Sequence, residues 1–347
     1  MFKIEDRSIS RDSPPYVIAE VSANHGGSIE KAIKTIHAAN EMGASAVKIQ
    51  TYTPETMTID SQLDDFMVKG GPWDGRKLYD LYREAHTPYA WHPELFQEAR
   101  SLGVTLFSTP FDETAVELLE SLDCPAYKVA SFELTDLPLL RLIGSLGKPV
   151  LMSTGMAIQV QIDEAVEALR GAGCQELLLF HCISSYPAPI EQANLSVIKT
   201  LIERYEVEVG LSDHTIGETA AAIAVSMGAT AIEKHFTLDR SEKGPDSDFS
   251  IEPNELRSLV RTTRDAWAAV GDGSLAKRSL AEEKSTVFRR SIYFVKDMVP
   301  GQVIGATDIR RIRPGFGLPP KHFAELVGRK VNRAVAAGTP VGWDLVE

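Results

Sequence analysis

The chain has 347 residues, of which 44% are hydrophobic, and its formal net charge at pH 7 is −12. This length is too great for one small domain and suits a barrel of about 250 residues with an appendage. Because no run of about 18 uncharged apolar residues occurs, we expect no membrane span, and the acidic balance argues against nucleic acid as a partner. The three cysteines are dispersed and no apolar secretory signal is evident, so we expect a cytoplasmic protein.

Eight short apolar runs recur along the chain at intervals that leave room for a helix between them. The runs are 16–21, 46–50, 104–107, 126–130, 149–152, 176–180, 207–211 and 230–235. Helical patterns such as Ser28–Met42 and Pro253–Val270 fill most of the intervals. Short buried strands that alternate with helices pair in parallel through right-handed crossovers. We therefore predict a closed (β/α)8 barrel, with its active site at the carboxyl ends of the strands.

One connection, between the second and third predicted strands, is unusually long. It runs from Thr51 to Leu102, and its segment Phe66–Trp91 holds six aromatic residues. Long loops at the catalytic mouth of a barrel usually carry function. The rings could equally form a small satellite core beneath the loop.

The pattern changes after Gly271-Asp272-Gly273, where short strands and turns replace the alternation of strand and helix. We predict a catalytic barrel at 1–275, a linker at 276–285 and a small β-rich domain at 286–347. Residues 285–347 hold 10 Lys and Arg against 5 Asp and Glu, a charge of +5, which leaves −17 for the rest of the net −12. This basic module could dock on an acidic surface of a second copy, or its charge could simply keep it solvated.

His214 and His235 lie at the ends of two consecutive predicted strands. Adjacent strand ends lie side by side at one mouth of a barrel, and neutral imidazole is the commonest metal ligand. We therefore expect the two to bind one divalent cation, with positions left open for substrate oxygen. Alternatively, each is an ordinary polar residue at a strand end. Cys182 also follows a strand, but without an evident base partner we expect it to be buried filler.

Three lysines on predicted strands, Lys48, Lys128 and Lys234, are expected to point toward the same mouth. A lone buried ammonium is costly, so each lysine needs partners. The hydroxyl residues nearby are Thr109, Ser131, Ser153 and Ser212. Together these groups would hold phosphate and carboxylate oxygens. Alternatives are a structural Lys128–Glu133 ion pair, a Schiff-base aldolase, which leaves the histidines unexplained, and a metal hydrolase, which would usually open with a His-x-His strand.

A series of motifs follows the predicted strand ends in order. They are Glu20–His25, Lys48–Thr51, Ser108–Phe111, Ala126–Lys128, Ser153–Gly155, His181–Cys182, Tyr186–Pro187, Gly210–His214, Glu233–Phe236 and Gly244–Asp246. In this order they resemble the sialic acid synthase family. The tail resembles the antifreeze-like (SAF) domain of that family, with Arg313-Pro314-Gly315 matching its sugar-contacting loop. The resemblance implies a (β/α)8 TIM barrel followed by a small β-rich SAF domain.

Within this family, the segments Lys69–Asp74, Lys77–Tyr82 and Thr87–His92 look most like the pseudaminic acid synthase branch. N-acetylneuraminate synthases carry Asn where this chain has Ser184, which agrees with that branch. The resemblance implies condensation of phosphoenolpyruvate with 2,4-diacetamido-2,4,6-trideoxy-L-altrose, release of phosphate with C–O cleavage, and a divalent cation, Mn²⁺ or Mg²⁺. The N-acetylneuraminate and legionaminate branches, which use other N-acetylated hexoses, stay open as alternatives.

The resemblance also implies roles for individual residues. His214 and His235 would bind the cation and act in catalysis, with Glu20 or Glu133 orienting or deprotonating a water molecule. The residues expected to contact substrate are Lys48, Gln50, Thr109, Lys128, Ser131, Ser153, Ser184, Tyr186, Ser212, Asp246, Phe288 and Arg313. The family pattern is a domain-swapped homodimer in which each small domain covers the other subunit's barrel. A non-catalytic carbohydrate-binding protein is the competing class, and it would not need the lysines and histidines together.

Overall fold

The protein is described by a computed structural model that covers residues 2–347. It divides into two compact units, of which the first ends at Gly271 and the second spans Asp272–Glu347. Each unit has a hydrophobic core of its own. The finer limits expected from the sequence, with a linker at 276–285, stay a prediction.

A closed barrel of eight parallel strands forms the centre of the first unit. A short antiparallel pair, β1 (Phe2–Ile4) and β2 (Arg7–Ile9), precedes it in the chain. The barrel strands are β3 (Tyr16–Glu20), β4 (Ala46–Thr51), β5 (Thr105–Pro110), β6 (Tyr127–Val129), β7 (Val150–Ser153), β8 (Leu177–Cys182), β9 (Glu208–Ser212) and β10 (Ala231–His235). Each strand pairs with the next in sequence, and β10 closes on β3. The predicted (β/α)8 fold is confirmed, and the apolar runs lie within a few residues of the strands.

Helices fill the intervals between the strands. They are α1 (Ile29–Glu41), α2 (Pro54–Met57), α3 (Leu78–Ala85), α4 (His92–Leu102), α5 (Glu113–Ser121), α6 (Leu137–Ser145), α7 (Gln159–Ala172), α8 (Val197–Tyr205), α9 (Thr219–Ser226) and α10 (Pro253–Val270). Local sequence sets their ends: the Asp112 side chain accepts the Thr114 and Ala115 amides ahead of α5, and Gly103 takes a left-handed conformation after α4.

The strands are buried on both faces, since side chains fill the barrel and the helices cover its outside. Every residue of β7 and β8 is buried. Successive residues of a strand therefore point alternately into the barrel and toward the helix layer. At the carboxyl ends of the strands, this alternation decides which polar side chains reach the mouth.

The pair β1–β2 has no counterpart in the sequence-based prediction. Its residues Phe2, Ile4 and Ile9 are buried in the core of the first unit. The Thr105 hydroxyl, at the start of β5, donates to Glu5 in the turn between these strands at 2.5 Å. The pair therefore lies at the amino-terminal end of the barrel, opposite the mouth.

The second unit holds the helix α11 (Leu280–Glu283), the antiparallel strands β11 (Ser291–Phe294) and β12 (Ile309–Ile312), and the helix α12 (Phe323–Leu326). Its core includes Ile292, Phe294 and Leu326. A small antiparallel sheet with long turns confirms the β-rich second domain. Across the described residues of both units, no helix combines the length and the apolarity that a membrane crossing requires.

Candidate active site

Four charged side chains meet inside the barrel at the mouth: Glu20 on β3, Lys48 on β4, Lys128 on β6 and Glu233 on β10. Lys48 Nζ lies 2.7 Å from Glu20 Oε2 and 3.8 Å from Glu233 Oε2. Lys128 Nζ lies 4.0 Å from Glu233 Oε1. All four are nearly inaccessible to solvent. We call this group the lysine–carboxylate cluster.

Burial and mutual attraction compete within the lysine–carboxylate cluster. Burial disfavours the charged Lys48, but attraction to Glu20 and Glu233 outweighs burial and raises its pKa. Burial likewise works against Glu233, yet the two lysines lower its pKa. For Lys128 burial prevails and lowers the pKa, and for Glu20 it raises the pKa against the pull of Lys48. Glu20 and Lys128 are thus the members whose charge is least favoured before substrate binds.

Hydroxyl groups surround the lysines, as the sequence predicted. Lys48 Nζ donates to Thr109 Oγ1 at 3.1 Å, and Lys128 Nζ donates to Ser153 Oγ at 2.6 Å. The Ser212 hydroxyl donates to Glu233 Oε1 at 3.1 Å. These bonds fix the direction of each ammonium group.

Gly155 packs closely against two further hydroxyls of the mouth, those of Ser131 and Ser184. Its amide donates to Ser131 Oγ at 3.1 Å. A Cβ atom at this position would lie 2.3 Å from Ser184 Oγ and 2.7 Å from Ser131 Oγ. The two serine hydroxyls therefore pack against the Gly155 backbone too closely to leave room for a side chain at 155.

His214 and His235 lie side by side at the mouth, with ring centroids 5.4 Å apart. His214 Nδ1 lies 3.0 Å from the Ile183 carbonyl, so Nδ1 donates to that oxygen, and Nε2 has a lone pair when the ring is neutral. His235 Nδ1 is buried and has no hydrogen-bond partner among residues 2–347. Burial, followed by repulsion from His214, lowers the pKa of His235 well below its usual value. A neutral imidazole with an unused nitrogen beside a second imidazole fits a divalent cation.

No cluster of three or more His, Cys, Asp or Glu side chains that could hold a metal occurs among residues 2–347. The metal site itself stays a prediction.

Aromatic side chains form one wall of the mouth. The Tyr186 ring lies 4.3 Å from His214, 5.2 Å from Phe249 and 5.7 Å from Trp73, measured between centroids. Trp73 Nε1 donates to the Pro245 carbonyl at 2.9 Å. The long connection between β4 and β5 therefore reaches the site and brings an aromatic ring to it.

A hydrogen-bonded chain runs from the lysine–carboxylate cluster to the far side of the mouth. Gln50 Nε2 donates to Glu20 Oε1 at 3.1 Å and to Ser22 Oγ at 2.9 Å. Next to Ser22, the Ala23 amide donates to Oδ2 of the buried Asp246 carboxylate at 3.2 Å. Asp246 Oδ2 lies 3.8 Å from His235 Nδ1. Burial raises the pKa of Asp246.

Glu133 follows β6 and has an unused oxygen. Its Oε2 atom is buried without a hydrogen-bond partner among residues 2–347. Burial raises its pKa to about 7. The Lys128–Glu133 ion pair considered from the sequence does not form among the described residues, because Lys128 bonds Ser153 and the Val129 carbonyl instead. A carboxyl group with such a pKa can hold or accept a proton near neutral pH.

Lys234 does not point into the mouth, so its expected place in the phosphate cradle is wrong. Its Nζ atom lies 2.6 Å from Asp213 Oδ2 and 2.6 Å from the Thr215 carbonyl. Because Glu233 and His235 face into the barrel, the residue between them must face the helix layer. Lys234 and Asp213 form a buried ion pair behind the site.

Cys182 is more than the buried filler without a base partner that the sequence suggested. Its Sγ atom lies 3.7 Å from His214 Nδ1 and 3.7 Å from Ser131 Oγ. Burial disfavours the thiolate, but the bond to His214 outweighs burial and lowers the pKa of Cys182. Cys182 pairs in register with Ser212 on β9, so both residues lie at the same level of the barrel. The position of Cys182 at the end of β8 was the sequence signal that could have placed it at the mouth.

Phe288 and Arg313 lie in the second unit. The Phe288 side chain is 65% exposed, and the Gly315 amide beside Arg313 donates to the Val287 carbonyl at 2.8 Å. The two residues therefore belong to loops that pack together within that unit. Their expected contacts with substrate stay predictions.

Comparison with known proteins agrees with this geometry. The NeuB family model matches residues 35–275, and the SAF domain model matches residues 289–347. The chain is 44% identical to a pseudaminic acid synthase of Campylobacter jejuni, over an alignment of 331 residues that covers 95% of this chain and 96% of that protein. It is 34% identical to an N,N'-diacetyllegionaminic acid synthase of Legionella pneumophila, over 96% of this chain and 94% of that protein.

A solved structure agrees as well. The N-acetylneuraminic acid (sialic acid) synthetase from Leptospira borgpetersenii is 30% identical and superposes with a TM-score of 0.73, over 82% of this chain and 94% of that chain. The barrel, the paired imidazoles and the lysine–carboxylate cluster thus occur in a sequence whose larger part matches one family model. The resemblance expected from the strand-end motifs is confirmed, and the chain belongs to the NeuB family, with an SAF domain at its carboxyl-terminal end.

Proposed function

We propose that the protein condenses phosphoenolpyruvate with 2,4-diacetamido-2,4,6-trideoxy-L-altrose to give pseudaminic acid and phosphate. The observation that carries this proposal is the meeting, at one barrel mouth, of two lysines with hydroxyl partners and two adjacent imidazoles. The relative from Campylobacter jejuni that carries the name pseudaminic acid synthase supports this choice of sugar. The reaction would take place in the cytoplasm.

Phosphoenolpyruvate carries about three negative charges near neutral pH, so its site must supply cations and hydrogen-bond donors. Lys48 and Lys128 supply the charge. The hydroxyls of Ser131, Ser153 and Ser184, two of which pack against the Gly155 backbone, would donate hydrogen bonds to the phosphoryl group. Thr109 orients Lys48 toward the centre of the mouth.

The reaction forms one carbon–carbon bond and breaks one carbon–oxygen bond. C3 of phosphoenolpyruvate attacks the aldehyde carbon of the open-chain sugar, whose oxygen takes up a proton. Water adds to C2 and loses a proton, and the tetrahedral intermediate then releases phosphate by cleavage of its C2–O bond. The described side chains hold both substrates and provide sites for the protons.

His214 and His235 would hold the divalent cation, Mn²⁺ or Mg²⁺. When bound, such a cation polarises a carbonyl oxygen as a Lewis acid. The hydrogen bond from His214 Nδ1 to Ile183 orients that ring, and the His235 ring lies beside it with a centroid distance of 5.4 Å. This contact would hold one of the two ligands in place before either substrate binds.

Two carboxyl groups are candidates for orienting or deprotonating the water, Glu20 and Glu133. Glu20 contacts Lys48 and Gln50, so it is suited to orient the water molecule. Glu133 has an unpaired oxygen and a pKa of about 7, so it is suited to exchange a proton near neutral pH.

The sugar would lie between the chain that ends at Asp246 and the aromatic wall. The Asp246 carboxylate is a hydrogen-bond acceptor for a sugar hydroxyl. Tyr186, Phe249 and Trp73 offer apolar faces to the acetamido methyl groups and to the deoxy C6, which are the apolar parts of this substrate.

The loops around the mouth carry apolar side chains that a monomer would leave in water. Phe132, Met156 and Ile216, which follow β6, β7 and β9, are about 60% exposed or more. The loops of the second unit present Phe288 and Phe316, which are 65% and 70% exposed. These surfaces support a homodimer in which the small domain of one subunit covers the barrel of the other and contributes Phe288 and Arg313.

Phosphate release, measured with phosphoenolpyruvate and one candidate aldose at a time, tests the proposal. The diacetamido-trideoxy-altrose should give the highest kcat/KM. N-acetylmannosamine and the legionaminate precursor are the alternative sugars. The similarity to the N,N'-diacetyllegionaminic acid synthase of Legionella pneumophila is the reason to test the second. Excess EDTA should abolish turnover and Mn²⁺ should restore it. No phosphate release with any of these sugars would reject the proposal and favour a carbohydrate-binding protein.

A further inference from the structure

Ser22 has a backbone conformation that serine rarely adopts. Its φ angle is +44°, in the left-handed region, and its side chain is 5% exposed. Glycine adopts this region without the steric cost that a Cβ atom brings. Gly26, at the end of the same short turn, has a φ of +55°. A non-glycine residue held in a costly conformation at a buried position suggests that its side chain is needed there.

The Ser22 hydroxyl lies between two groups assigned to the substrate site. It accepts from Gln50 Nε2 at 2.9 Å, and its interaction with the Asp246 carboxylate lowers the pKa of that group against the effect of burial. Gln50 also reaches Glu20, and the Ala23 amide also reaches Asp246. Ser22 is therefore the link that joins the Glu20–Gln50 pair to the carboxylate on the opposite loop.

We infer that Ser22 is a positioning residue, whose hydroxyl aims the Gln50 amide and the Asp246 carboxylate at the sugar. This inference rests on the proposed function, because it takes the two groups as sugar ligands. A hydroxyl can accept from an amide and donate to a carboxylate at the same time. Neither glycine nor alanine can do so, which explains a serine at a position that the backbone would give to glycine.

Three substitutions separate this role from a structural one. Ser22→Gly removes the hydroxyl and the strained Cβ, Ser22→Ala removes the hydroxyl and keeps the strain, and Ser22→Thr keeps the hydroxyl and adds a branched carbon. Melting temperature should fall in the order Gly, Ala, Thr, since branched residues are the least tolerated at positive φ. Sugar kcat/KM should follow a different order, with Thr the most active and with Gly and Ala equally reduced.

The expected loss for Ser22→Gly and Ser22→Ala is about 10- to 100-fold in sugar kcat/KM, as for one hydrogen bond to a charged group. The KM for phosphoenolpyruvate should stay within about twofold, because the lysine–carboxylate cluster is untouched. Glu206→Gly is the matched control, since Glu206 is exposed, caps α8 and has a φ of +52°. It should raise the melting temperature and leave both KM values unchanged.

Activity that follows melting temperature, with Ser22→Gly near wild type, would overturn the inference. Equal rises in both KM values would also overturn it, because they would mean general damage to the site. If Ser22→Thr does not fold, the comparison of Gly with Ala still decides. Wild-type enzyme that releases no phosphate would reject the proposed function, whereas normal wild-type turnover with unaltered Ser22 variants would reject only the positioning role.

Discussion

Gly155→Ala should damage phosphoenolpyruvate use far more than it damages the fold. The added Cβ would lie 2.3 Å from Ser184 Oγ and 2.7 Å from Ser131 Oγ, whereas ordinary contacts begin at 3.4 Å. Both hydroxyls must therefore move by roughly 1 Å, or the backbone must shift. Because Gly155 does not have a positive φ, the clash is the only steric objection to alanine. Such overpacking costs about 1–3 kcal/mol of stability.

A displacement of about 1 Å in groups that position a substrate lowers the rate about 100-fold. We therefore expect phosphoenolpyruvate kcat/KM, measured by phosphate release, to fall about 100-fold in a protein that still melts cooperatively. Gly171→Ala is the matched control. Gly171 lies in α7 with no atom within 4 Å of an added Cβ, so alanine should stabilise the helix by up to about 1 kcal/mol without changing the kinetics. A Gly155→Ala enzyme within threefold of wild type would refute the assignment of the Ser131 and Ser184 hydroxyls to the phosphoryl group.

Three further outcomes are expected. Because burial raises the pKa of Glu133 to about 7, its carboxylate forms as pH rises from 6 to 8; wild-type kcat/KM should rise over this range, and Glu133→Gln should flatten the profile and lower the rate about 100-fold. An unchanged profile would assign the base to Glu20. Arg313→Ala should raise the KM for the sugar roughly tenfold and that for phosphoenolpyruvate less than twofold, and parallel rises would contradict a sugar contact. Lys234→Met leaves Asp213 buried without its cation, so the free energy of unfolding in urea should fall by about 3–5 kcal/mol. A second change, Asp213→Leu, should restore part of that stability. A loss below about 1 kcal/mol would show that water reaches the ion pair.

The barrel could be predicted from the sequence because its strands are buried on both faces and so appear as short continuous apolar runs. Polar residues inside such runs or just after them are expected near the carboxyl ends of the strands, which placed Lys48, Lys128, His214 and His235 correctly. The strands β1 and β2 could not be predicted, since three residues each are too few to show a period. Their buried side chains are recognisable only once the amino-terminal end of the barrel is in place.

The exact membership of the site depended on information that a single sequence does not contain. At the end of β10, Glu233, Lys234 and His235 are all polar, and only the pairing of His235 with Glu20 shows which two face inward. The approach of Trp73 to Tyr186 depends on the path of a connection of about 50 residues, which no local rule predicts. Ser22 was visible in the sequence only as a polar residue in a motif, because its backbone angle, and not its type, indicates its role.

The lysine–carboxylate cluster carries two positive and two negative side chains, so its formal charges cancel before any substrate arrives. The cluster by itself therefore exerts little long-range attraction on passing anions, and inorganic phosphate or nucleotides gain nothing from its net charge. The association rate constant for the correct trianion should then depend little on ionic strength through this cluster, because its side chains attract the substrate only at contact distance. Selectivity among the many phosphorylated metabolites of a cell would thus come from the shape of the site and the positions of its hydrogen-bond donors, and the net charge of the cluster would contribute little.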